Sequence, residues 1–153
     1  MPNDGSPLDL DRFVPYRLSV LTNRISGAIA RHYSARFALS IPEWRVMAVL
    51  GQSPGLSARH VAERTAMDKV QVSRAVANLV RAKRVARVAD ASDRRIHRLS
   101  LSRRGRAIYD EIVPLALELE ELLLEALTAK ERQAFDRLMV KLARQTVRLE
   151  SIP

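Results

Sequence analysis

Apolar residues recur at intervals of three and four from Leu10 to Phe37: Val14, Leu18, Leu21, Ile25, Ala28, Ile29 and the pair His32/Tyr33. That spacing predicts one face of a long helix. Pro15 falls in its first turn, where a missing N–H is tolerated. Ser40-Ile41-Pro42-Glu43 opens a second helix, with Ser40 or Ile41 at the cap and Pro42 at the first helical position. Trp44, Val46, Met47, Val49 and Leu50 are its apolar residues, and Gly51 to Gly55 reads as a turn. Ser57 then caps a short helix, Ala58 to Thr65, with Val61 and Ala62 inward. After a turn at Ala66-Met67, Asp68 caps a helix to about Lys83, with Gln71 completing an Asp variant of the capping box.

The period then changes. Val85 to Ala89 and Ile96 to Leu101 read as strands, joined by Asp90-Ala-Ser-Asp-Arg-Arg95 as a hairpin with a charged tip. Ser102 caps a long helix with the stripe Ile108, Ile112, Leu115, Leu119, Leu122, Leu123 and Leu127, interrupted by Pro114, where a kink or break is expected. Thr128-Ala-Lys-Glu131 is a second capping box, opening a last helix with the stripe Phe135, Leu138, Met139, Leu142 and Val147. The whole is mainly α with a small β-hairpin. Ser57 to Lys83 has the spacing of a helix-turn-helix, and the hairpin after it stands where a wing would.

Charge sharpens this picture. Ser57 to Arg106 holds fourteen Lys/Arg and only four acids, a net +10, whereas the rest of the 153-residue chain sums to −1. A basic core on a nearly neutral frame is the footprint of a polyanion binder. On a helical wheel, Val72, Ala75, Val76 and Leu79 share an inward face. Val70, Ser73, Arg74, Ala77 and Arg81 take the opposite face, flanked by Gln71 and Asn78. Small residues there let a helix sink into a major groove roughly 12 Å wide, and the longer ones then reach base edges. Arg74 suits guanine, Gln71 adenine, Ser73 a base or a phosphate, and Lys69 a phosphate. At the hairpin tip, an Arg can enter the minor groove while Asp93 orients it through a charge-assisted bond. The expected DNA-contact set is Ser57, Lys69, Gln71, Ser73, Arg74, Asn78, Arg81, Asp93, Arg94 and Arg95.

These residues resemble the MarR family of bacterial winged helix-turn-helix transcription regulators. The resemblance runs from Leu10 to about Leu149. It is carried by Ser57-Ala-Arg-His-Val-Ala, Val72-Ser-Arg-Ala-Val-Ala-Asn-Leu79, Asp90-Ala-Ser-Asp-Arg-Arg95 and Leu99-Ser-Leu-Ser-Arg-Arg-Gly105. It implies a homodimer held by long N- and C-terminal dimerisation helices, an inverted-repeat operator in double-stranded DNA, and repression. It also places the family's minor-groove Arg on Arg95, with Asp93 as its partner and Arg94 in support. The expected organisation is a flexible tail over residues 1–9, a dimerisation helix over 10–39, the winged helix-turn-helix over 40–102 and C-terminal dimerisation helices over 103–153. One departure stands out: the family's usual Gly-Leu after the recognition helix is Lys83-Arg84 here, and a left-handed Lys is strained.

The resemblance further implies release from DNA by a small molecule, often an aromatic acid. Phe13-Val-Pro-Tyr-Arg-Leu18 and Ile41-Pro-Glu-Trp-Arg-Val46 are similar to members that sense hydroxycinnamates or their coenzyme A thioesters. An aromatic carboxylate or aryl-CoA effector makes Tyr16 and Arg17 the leading ligand-binding pair, a ring to stack and a cation for a carboxylate. Arg24, His32, Trp44 and Arg45 are further candidates. Each has a second reading: Trp44 as core, His32 as a buried, hydrogen-bonded histidine, and Arg17 as a dimer contact.

Other classes fare worse. The chain has no cysteine, which excludes a disulfide framework and a thiolate metal site. His32, His60 and His97 are scattered, and no His-Glu-x-x-His, phosphate loop or Gly-x-Ser-x-Gly occurs, so no catalytic or metal site and no cofactor are expected. Aromatics make up only 5% of the chain, which argues against RNA recognition by base stacking. No apolar run reaches membrane-spanning length and residues 1–9 lack a signal-peptide core, so no membrane partner and a cytoplasmic location are expected. The alternative to a specific regulator is an architectural DNA-binding protein without an inducer, which shares the charge and the wing.

Overall fold

In a computed structural model, residues 7–152 are described, so most of the expected tail lies outside them. The chain forms two units, one through Val113 and one from Pro114. The first contains α1 (Val14–Phe37), α2 (Ile41–Gln52), α3 (Ala58–Thr65), α4 (Lys69–Arg81), β1 (Val85–Ala89), β2 (His97–Leu101) and the first half of α5 (Arg103–Leu124). The second holds the remainder of α5 and α6 (Ala129–Glu150). No helix of the described residues is long and apolar enough to cross a membrane.

The helix starts follow from their caps. Ser40 caps α2 in a reciprocal box with Glu43, which leaves Ile41 and Pro42 in the first turn. The Ser57 and Asp68 side chains accept from His60 N–H at 3.3 Å and Gln71 N–H at 2.8 Å. Only the Asp68 half of the expected box forms, because no bond returns from the Gln71 side chain. α1 begins at Val14 rather than Leu10. The Asp9 carbonyl accepts from Arg12 and Phe13 N–H, closing a separate turn ahead of the helix.

Three further boundaries depart from the sequence reading. Gly51 belongs to α2, not to a turn, and the Tyr109 ring lies where its Cβ would be, 2.3 Å from Tyr109 Cε2. α4 stops at Arg81, two residues early, and Lys83 takes the left-handed conformation at φ 57°. β2 starts at His97, with Ile96 in the hairpin tip. At Pro114, α5 runs on as one helix.

One hydrophobic core unites the first unit. Tyr33 of α1, Val46, Met47 and Leu50 of α2, Val61 of α3, Val72 and Leu79 of α4, Leu99 of β2 and Ile112 of α5 are all fully buried. Burying an aliphatic side chain of this kind is worth about 1.5–3 kcal/mol each. The strands pair antiparallel, from Val85 opposite Leu101 to Ala89 opposite His97. An isolated bridge joins Leu56 to Leu99, and Gly55, at φ 83°, donates to the Leu99 carbonyl at 2.8 Å. This loop fastens the hairpin to the start of α3.

In the second unit, Thr128 and Glu131 form the expected capping box. Arg132 donates to the Leu124 carbonyl at 3.1 Å and to Glu121 at 2.9 Å, closing the end of α5. No residue of α6 is buried, and Phe135, Leu138, Met139 and Leu142 stand exposed.

Candidate nucleic-acid interface

The inward face of α4 is buried residue for residue as its period requires: Val72, Ala75, Val76 and Leu79. The opposite face is therefore fixed toward solvent, and Lys69, Gln71, Ser73, Arg74, Asn78 and Arg81 are exposed on it or beside it. Arg74 has no ion-pair partner among the described residues. Asn78 and Arg81 are engaged: Asn78 Nδ2 donates to Glu43 at 3.0 Å, and Arg81 donates to Asn78 Oδ1 at 3.2 Å. That chain anchors the C-terminal half of α4 to α2 and leaves its N-terminal half as the open end.

The hairpin tip is built around two carboxylates. Asp90 Oδ1 accepts from the backbone N–H groups of Ser92 at 2.9 Å and Asp93 at 3.1 Å, and also from the Ser92 hydroxyl. Its Oδ2 accepts from Arg98 Nε at 2.7 Å. The Ser92 hydroxyl, then Arg98, then the backbone donors hold the Asp90 carboxyl well below the usual carboxylate range. Asp93 receives Arg95 in a two-pronged pair, Nε to Oδ1 at 3.1 Å and Nη2 to Oδ2 at 3.2 Å, and this lowers the Asp93 pKa. The Arg95 side chain is 92% exposed, so its guanidinium is oriented without being covered. Arg94 is also exposed at the tip.

Between α3, α4 and the hairpin lies a cleft of about 490 Å³, lined among others by Ser57, Arg59, His60, Ser73, Arg87, Arg95 and Arg98. The structure thus brings Ser57, Ser73 and Arg95 to one basic wall. Arg59, His60, Arg87 and Arg98 join it, none of which the sequence reading singled out. The spacing of Ser57 and His60, cap and third helical residue, was the available signal: Ser57 Oγ lies 3.0 Å from His60 Nδ1. Arg84, by contrast, counts toward the basic stretch yet is buried, so it adds no charge to this surface.

The expected ligand residues divide into separate groups. Tyr16, Arg17 and Arg24 line a cleft of about 590 Å³ on α1, together with Leu10, Asp11 and Leu21. Trp44 instead packs between Tyr33 and Tyr109, with ring centroids at 5.7 and 5.9 Å, against the core. Arg45 donates to Ser26 Oγ at 3.2 Å. His32 is exposed rather than a buried histidine, because the helix turns Tyr33 inward in its place. Burial raises the Tyr33 pKa, with the nearby Arg45 charge opposing it.

Residues 39–96 match the model of the MarR family. An HTH-type transcriptional repressor of Mycobacterium tuberculosis is 29% identical over 140 residues, covering 91% of this chain and 95% of that protein. A MarR/EmrR family transcriptional regulator from Acinetobacter sp. ADP1 superposes with a TM-score of 0.84 at 25% identity, covering 92% of this chain and 99% of that one. The Bordetella bronchiseptica regulator BpsR, whose DNA binding is regulated by 6-hydroxynicotinic acid, superposes with a TM-score of 0.79 at 25% identity, over 90% and 98% of the two chains.

Proposed function

We propose that the chain is a helix-turn-helix transcriptional regulator of the MarR family, acting as a homodimeric repressor of an inverted-repeat operator and released by a small aromatic acid or its CoA thioester. The observation that carries the DNA half is the exposed, basic N-terminal half of α4 standing beside a wing whose Arg95 is aimed by Asp93. Two copies related by a two-fold axis set their α4 helices in successive major grooves about 34 Å apart. Lys69, Gln71, Ser73 and Arg74 meet the groove, Ser57 meets a phosphate, and Arg95 enters the flanking minor groove with Arg94 at its rim. Asn78, tied to Glu43, and Arg81, tied to Asn78, position the helix more than they read bases.

Dimerisation is supported by the apolar residues left exposed on the first turns of α1, such as Val14, Leu18 and Leu21, and along α6. A second copy would cover them. The effector half is supported by the cleft at Tyr16, Arg17 and Arg24, whose volume falls in the range of small-molecule sites. Arg17 and Arg24 supply cations for a carboxylate and Tyr16 a ring. The regulation of BpsR by an aromatic acid supports the same ligand class. Binding there would favour a spacing of the two winged domains that no longer fits the operator, a shift that needs tighter binding to the mismatched form.

Fluorescence anisotropy on an inverted-repeat duplex at fixed salt, titrated with 6-hydroxynicotinic acid, p-coumarate and p-coumaroyl-CoA, tests both halves. Release by one of them, lost in Arg17→Ala, is the expected result. Tight binding that none of them disturbs contradicts the effector half. Equal affinity for a scrambled duplex contradicts the operator and favours the architectural alternative.

A further inference from the structure

Arg84 is the one charged residue buried among the described residues, and no carboxylate meets it. Its guanidinium instead donates from Nη2 to the Phe37 carbonyl and from Nη1 to the Ala38 carbonyl at 3.4 Å, and Nε has no protein partner. Both acceptors sit at the end of α1, where Ala38 turns left-handed at φ 49°. Those carbonyls have no intrahelical donor and lie at the negative end of the helix dipole, so a guanidinium from elsewhere in the fold serves as their cap.

The main chain of the same residue ties three more elements together. Arg84 N–H donates to the Leu79 carbonyl at 2.8 Å, near the end of α4. Its carbonyl accepts from Ser102 N–H at 2.9 Å, at the head of α5, while the Ser102 hydroxyl donates to the Lys83 carbonyl at 2.7 Å. Gly105 presses so closely that a Cβ there would lie 1.9 Å from the Arg84 oxygen. β1, the first strand of the wing, starts at the next residue. Lys83 holds its strained left-handed backbone immediately before this junction. An apolar side chain would fill the site without the desolvation penalty of a buried cation, so packing alone does not account for an arginine.

We propose that Arg84 is a positioning residue that latches the root of the wing to the C-terminal end of α1. A displacement of α1 is then carried through two carbonyl bonds to β1, and along the hairpin to Arg95. The latch is a property of the folded chain alone. Its effect on DNA rests on the proposed insertion of the wing.

Hydrogen–deuterium exchange of the full-length protein without DNA tests it, comparing wild type with Arg84→Leu and Arg84→Lys. In Arg84→Leu the amides of the last turn of α1 and of both wing strands should exchange about fivefold faster or more, with Val46 and Met47 in α2 unchanged. Arg84→Lys, which keeps a cation but loses the fork that spans two carbonyls, should fall between. In parallel, Arg84→Leu should lose preference for A·T-rich over G·C-rich operator flanks. Wild-type exchange in Arg84→Leu overturns the latch, as does equal acceleration at Val46 and Met47, which would mark general loosening. If Arg84→Leu fails to fold, the same criteria apply to Arg84→Lys. If wild type itself shows no flank preference, wing insertion fails, and the exchange result alone decides the latch.

Discussion

Arg74 stands on the exposed face of α4 with no carboxylate beside it, whereas Arg95 stands on the wing tip already paired to Asp93. The difference sets what each substitution should do. Arg74→Ala should weaken operator binding by about 1–3 kcal/mol and relax specificity at one base pair. Equal losses on every sequence would reassign Arg74 to phosphate. Arg95→Ala should weaken binding most where the flanks are A·T-rich, because a narrow minor groove attracts a guanidinium most strongly. Asp93→Asn should reproduce part of that loss, since it leaves the cation in place and removes its aim. Asp90 makes a further prediction. Its folded pKa lies below its unfolded value of about 3.9, so the stability it contributes is complete above that value. It is lost as pH falls through the folded value. In an NMR titration the Asp90 carboxyl should titrate below a free Asp. Titration at the ordinary value would contradict the hydrogen-bond set at the tip.

The elements themselves were largely legible in the chain. Five helix starts were marked by Ser40, Ser57, Asp68, Ser102 and Thr128, each a short side chain that accepts from the third residue on. The period of α4 named its buried face without error, since every inward residue is a near neighbour in sequence. What stayed hidden depends on residues distant along the chain. Gly51 read as a turn because only the fold brings the Tyr109 ring against it. Arg84 counted toward the basic stretch, and its burial stayed hidden because its acceptors, Phe37 and Ala38, lie at the end of another helix. The Asp90–Arg98 bond that braces the wing closes across the hairpin tip, between residues eight apart. The candidate DNA face was therefore readable in outline, and its supports were not. Gly105→Ala must push the Arg84 carbonyl aside, and with it the bond from Ser102. Overpacking of this sort costs about 1–3 kcal/mol, so thermal unfolding should show a clear drop in Tm. An unchanged Tm would mean that the junction yields easily.

Across the whole molecule, apolar side chains remain exposed in both units, on the first turns of α1 and along α6. A homodimer is the account that gives them a partner. Sedimentation should then find two copies at micromolar concentration. Leu138→Glu combined with Leu142→Glu should yield a folded monomer that binds an inverted repeat no better than a single half-site. A dimer unaffected by both changes would remove α6 from the interface. Selection of duplexes by the purified protein from a random library tests whether paired α4 helices read an inverted repeat sequence-specifically. Enrichment of a two-fold symmetric sequence, with half-sites about one helical turn apart and A·T-rich flanks, is the expected result. Recovery of duplexes without a common sequence, bound only as strongly as the salt concentration allows, would contradict it.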